Sequence, residues 1–112
     1  MRDRNAVNFR IQVFDRGFRM LETFGRRGGG GGEFTHPPTG AALSVNEEIV
    51  ICDDTDRMHV MTATGAFLGF VNGPRSGQLV PKYYSAAFSE SEEIFAVDEY
   101  GCQLHRFILK ER

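Results

Sequence analysis

The sequence contains no tryptophan and only two cysteines, Cys52 and Cys102, which form neither a CxxC pair nor a disulfide framework. Cys52 falls inside an apolar run and reads as a small buried hydrophobe. No apolar run approaches the length needed to span a bilayer, and the opening MRDRNAVNFR has no hydrophobic signal core. Charge of one sign is also missing. Thirteen basic and 15 acidic residues leave a net charge of -2, which offers no overall attraction to DNA, RNA or anionic lipid. These absences argue against a membrane or DNA partner. They suggest a cytoplasmic chain, or an excised piece of a larger one.

What is present is short, punctuated and β-rich. The 112 residues allow one domain, which would bury about two thirds of its unfolded surface. Ten phenylalanines suit sheet packing. Glycine and polar clusters cut the chain into nine strand-like runs with no credible helix: 9–14, 18–24, 40–45, 48–53, 57–62, 66–71, 84–89, 93–98 and 103–109. Tight turns at Arg16-Gly17, Asn46-Glu47, Ala63–Gly65 and Glu99–Gly101 imply antiparallel meanders. Two longer connections, 25–39 and 72–83, divide the runs into packets.

The packets align. RIQVF at Arg10–Phe14, RMHVM at Arg57–Met61 and QLHRF at Gln103–Phe107 place Ile11, Met58 and Leu104 in one column. Ala41 and Ala42 stand 45 residues before Ala86 and Ala87, Ile49 stands 45 before Ile94, and Asp53 stands 45 before Asp98. A four-stranded meander repeated at this period, with a small-residue first strand, is the expected signature of a β-propeller blade.

The string GEFTHPPTGAALSVNEEIVICDDTDRMHVMTATGAFLGFV (32–71) resembles an NHL repeat. The points of similarity are Gly-x-Phe, a proline before the first strand, an apolar second strand ending in Asp, an Arg-led third strand and a Gly-x-Phe-Leu fourth. The resemblance covers 9–109 and implies an all-β, incomplete propeller of four-stranded antiparallel blades, about two and a quarter in number, where such rings usually close with six. The division it implies is a tail at 1–8, two outer strands of a first blade at 9–24, a glycine-rich inter-blade loop at 25–39, a complete blade at 40–71, a second loop at 72–83, three strands of a third blade at 84–109, and a tail at 110–112. Roughly five apolar side chains on each open outer face, at about 1.5–3 kcal/mol apiece, would need cover from other blades or from self-association.

Little points to chemistry. RRGGGGGEF (26–34) lacks the Lys-Ser/Thr and the helix of a phosphate loop, and reads as a flexible linker. His59 and His105 share a column and read as packing between blades rather than metal ligands. The run DDTD (53–56) lacks the glycine-turned loop of a calcium site. Asp53 and Asp98 are expected to accept backbone N–H bonds in the turns that follow them. Related propeller enzymes, lyases and lactonases, place titratable groups around a central channel, but the strands 40–45 and 84–89 that would line it hold no His, Asp or Glu. No catalytic residue, metal or cofactor is therefore expected in this segment. Arg26, Arg27, His36, Arg75, Lys82 and Tyr83, among Asp54, Asp56 and Glu99, would gather on one rim, and Glu47, Glu48, Glu90, Glu92 and Glu93 on the other. The resemblance includes ubiquitin-ligase proteins whose propeller rim recruits protein or single-stranded RNA. It implies a binding module for a protein partner, with RNA binding as the first alternative and a propeller-enzyme fragment as the second.

Overall fold

The computed structural model describes residues 9–74, 80–91, 93–98 and 103–108. They form eleven strands, with no α-helix among the described residues. Strands β1 (Ile11–Phe14) and β2 (Met20–Phe24) make an antiparallel ribbon, and β3 (Arg26–Arg27) and β4 (Glu33–Phe34) a short parallel pair. A four-stranded antiparallel sheet follows in the order β5 (Gly40–Leu43), β6 (Glu48–Cys52), β7 (Arg57–Thr62) and β8 (Phe67–Asn72). The last sheet joins β9 (Tyr83–Phe88), β10 (Glu93–Asp98) and β11 (Gln103–Ile108). The chain is all-β, with several antiparallel sheets.

Strand pairing repeats as closely as the sequence does. In the middle sheet Ala41 pairs with Ile51, which pairs with His59; in the third sheet Ala86 pairs with Ala96, which pairs with His105. The β1–β2 ribbon copies β7–β8. Ile11 pairs with Phe24 as Met58 pairs with Val71, and a register shift falls after Val13 as it does after Val60. Phe18, with φ of 65°, holds the left-handed place that Gly65, with φ of 99°, holds in the copy. Turn chemistry repeats too: Ser44 Oγ accepts the N–H groups of Asn46 and Glu48, and Ser89 Oγ those of Ser91 and Glu93. These hydroxyl turns end β5 and β9 at Leu43 and Phe88, one or two residues before the ends predicted from sequence.

The middle sheet is covered on both faces, which explains why EIVIC (48–52) is nearly continuous apolar sequence rather than an alternating strand. One face sends Val50, Cys52, Met58 and Val60 against Tyr83, Ile94 and Ala96 of the third sheet. The other sends Ile51 and Met61 against Phe9 and Phe34, with Ile11 and Phe24 of the ribbon packed beside them. The first strands of the two larger sheets come very close. A Cβ on Gly40 would lie 3.0 Å from the Tyr84 carbonyl oxygen and 3.1 Å from Ser85 Cα, and Thr39 Oγ1 donates to that same oxygen at 2.6 Å.

The glycine run departs from the flexible linker predicted for it. The Gly28 N–H donates to Phe34 O, Gly30 N–H donates to Glu33 Oε1, and Arg57 Nη2 donates to Gly29 O at 2.9 Å. Fully buried Phe34 anchors its end in the core. The missing side chains let the loop fold tightly around Glu33: a Cβ on Gly31 would run into the Phe67 ring at 2.5 Å.

Candidate functional site

The turn between β6 and β7 is where two sheets meet the surface. Asp53 is buried, and its Oδ1 accepts the Thr55 hydroxyl at 2.7 Å. The turn partner is thus a side-chain hydroxyl instead of the backbone N–H that was expected. Asp54 adopts a left-handed φ of 65°, a conformation that Asp tolerates better than most residues. Its N–H donates to Tyr83 O at 3.1 Å while Tyr83 N–H donates to Thr55 O at 2.8 Å, so the turn is laced to the start of β9. Gly73 N–H completes the lacing on Asp56 O at 2.8 Å.

Beside this clamp opens a hollow of about 350 Å3, lined by His36, Asp54, Thr55, Asp56, Val80, Pro81 and Lys82. Asp54 Oδ1 is shielded from solvent and has no hydrogen-bond partner among the described residues. A buried acceptor left without a donor costs about 1–3 kcal/mol.

The rim residues predicted from sequence divide into separate groups. His36 and Lys82 share this hollow. Arg26 belongs to a second one of about 200 Å3, bounded by Phe24, Gly32, Met61 and Phe67, and is tied to Glu33 at 2.7 Å. The Arg27 guanidinium lies 5.7 Å from the centre of the Phe9 ring. Arg75, Glu92, Glu99 and Cys102 lie outside the described residues.

Tyr83 is corrected outright: it is 0% exposed and wedged between the middle and third sheets, so it cannot present a binding surface. Burial, with Asp98 and Asp56 nearby, pushes its phenol up to about 12, and its hydroxyl meets His105 Nδ1 at 2.7 Å. Since Gln103 Oε1 can only accept from His105 Nε2, at 3.2 Å, that nitrogen carries the proton and the phenol donates to Nδ1.

Each of the two sheets holds an Asp–His pair that sequence spacing alone did not reveal. His59 Nε2 lies 3.7 Å from Asp53 Oδ2, and His105 Nε2 lies 3.7 Å from Asp98 Oδ2. The signal was available in the two repeated columns. Asp98 Oδ1 also accepts the Lys82 N–H at 3.0 Å, whereas the position 45 residues earlier is Pro37, which has no N–H to give. His59 sits in an aromatic cage, with ring centres of Phe34 at 4.6 Å and Phe70 at 5.0 Å, and its Nδ1 has no hydrogen-bond partner among the described residues.

Neither histidine joins a metal set; among the described residues no group of three or more His, Cys, Asp and Glu could hold one ion. Burial and the Asp53 carboxylate push the Cys52 thiol up to about 12, which makes it a poor nucleophile. Among the described residues no helix is long and apolar enough to cross a membrane. No protein-family model matches this sequence, and the search of curated proteins finds no relative.

Proposed function

We propose that this chain is a non-catalytic, NHL-like segment of a β-propeller that binds a protein partner through the hollow beside the β6–β7 turn. The observation that carries the reading is a concave site in which the carboxyl residues Asp54 and Asp56 stand with His36 and Lys82. A peptide segment bringing a Lys or Arg side chain would meet opposite charge there. The close approach of first strands at Gly40, and the shared register of the sheets, support a radial, blade-like arrangement.

The strands β5 and β9, which would line the channel, carry no His, Asp or Glu, and the buried Tyr83 phenol is pushed up to about 12, which favours recruitment over catalysis. The RNA alternative calls for basic groups interleaved with exposed aromatics. It loses Tyr83 to the core and retains exposed Tyr84.

Selection of a random peptide library on the protein tests the proposal. Enriched peptides should carry Lys or Arg and bind Asp54→Asn at least about tenfold more weakly, a change of about 1.4 kcal/mol. Asn keeps the left-handed turn while removing the charge. Peptides that bind both proteins equally would exclude the hollow, and salt-sensitive capture of single-stranded RNA with no peptide enrichment would favour the alternative.

A further inference from the structure

The repeat assigns every outward strand residue to one of two sides, and this extends to faces that no described residue covers. On the middle sheet, Ala42, Val50, Cys52 and Met58 face the third sheet. Their counterparts on the third sheet, by register and by 45- or 46-residue offset, are Ala87, Phe95, Val97 and Leu104. Val97 is 45% exposed and Leu104 64%. This apolar face has the composition of the one that makes the internal interface, yet it faces solvent. Arg106, at the Val60 column, is the polar exception and is tied to Glu93 at 3.4 Å.

The opposite end of the molecule shows the receiving side. On the middle sheet the receiving residues of β7 are His59 and Met61; the matching residues of β1, 47 earlier, are Gln12 and Phe14. Phe14 is 51% exposed and paired with Met20, itself 52% exposed; Phe18 at the adjoining turn is 87% exposed. The molecule thus presents one donor face and one receiving face, each the repeat copy of a partner in a contact it already makes internally.

We propose that a second copy of this chain docks head to tail, its β1–β2 ribbon covering the Phe95, Val97 and Leu104 face of the third sheet. The contact continues the internal stacking by one step. Because the two surfaces differ, the interface is heterologous and propagates until it closes on itself. It is independent of the hollow beside the β6–β7 turn, so a failure of peptide binding leaves it standing.

Sedimentation velocity of the full chain over a range of concentrations reads the proposal directly. The wild type should associate, either as a closed species or as a growing series. Leu104→Glu and Phe14→Glu should each be monomeric, with circular dichroism unchanged because both side chains are already exposed. Each variant keeps one intact face, so mixing the two should produce a one-to-one dimer that neither forms alone. A wild type that stays monomeric throughout would overturn the proposal. So would association that Phe14→Glu does not weaken, which would mean that like faces pair. Should either charged variant unfold, Val97→Thr preserves side-chain shape and strand propensity and should weaken association at least about tenfold, a change of about 1.4 kcal/mol; unchanged association would count against docking.

Discussion

Glu33 holds three groups in place: Oε1 accepts the Gly30 N–H at 3.0 Å, and Oε2 meets Arg26 Nε at 2.8 Å and Nη2 at 2.7 Å. The backbone bond from Gly30, followed by that from Arg26, holds its carboxyl below the ordinary value of 4.5. A carboxyl whose folded pKa is depressed stabilises the fold fully above its unfolded value, and that contribution is lost as pH falls through the folded one. The protection factor of the Gly30 amide, read by NMR exchange against the intrinsic rate at each pH, should therefore be constant above the ordinary value of 4.5 and fall as the pH drops below it, ahead of global unfolding. Glu33→Gln, which carries no charge to lose, should show no such pH dependence. The glycines gave no hint of this order because glycine carries no pattern to read. It depends on Glu33 and on Arg57, which donates to Gly29 from 28 residues away.

Strands were largely legible because two signals agreed, alternation within each run and turn-forming residues between runs. The columns of Ala41, Ile49 and Asp53 with Ala86, Ile94 and Asp98 also anticipated a common register, which the pairing of β5–β6 and β9–β10 displays. The place of Tyr83 was not legible: its burial follows from how closely the middle sheet approaches β9, a distance no local pattern encodes. The same approach sets a test at Gly40. An alanine methyl would press on the Tyr84 carbonyl and Ser85 Cα, both backbone atoms with little freedom to yield. Gly40→Ala should cost about 1–3 kcal/mol in denaturant unfolding. Gly69, with open space around its missing Cβ, serves as the control position at which alanine should show no such packing penalty.

Considered as a whole, the molecule is organised around its middle sheet, whose two faces serve two separate apolar clusters. Loosening one should therefore loosen the other. Phe34→Ala empties the cluster on the ribbon side and should lower stability by about 3–5 kcal/mol. Methyl resonances of Ile94, in the opposite cluster, and of Ile11, beside Phe34, should then report the same unfolding midpoint, as expected of one cooperative unit. Separate midpoints would mean that the sheets fold as independent modules. The candidate site was only partly legible at this scale. Sequence placed His36, Lys82, Asp54 and Asp56 on a common rim, but the hollow they share, apart from Arg26, depends on the backbone bonds between the β6–β7 turn and Tyr83.

The two histidines of the shared column show how far equivalent positions can differ. His105 Nδ1 accepts the Tyr83 hydroxyl, with Gln103 fixing the proton on the other ring nitrogen, while His59, with Pro38 where Tyr83 would stand, has an Nδ1 without a partner among the described residues. Two imidazoles at one repeat position thus sit in different company, one in a hydrogen-bonded chain and one among aromatic rings. In this pair the likeness lies in the backbone pairing, and the difference lies in which side chain each ring meets.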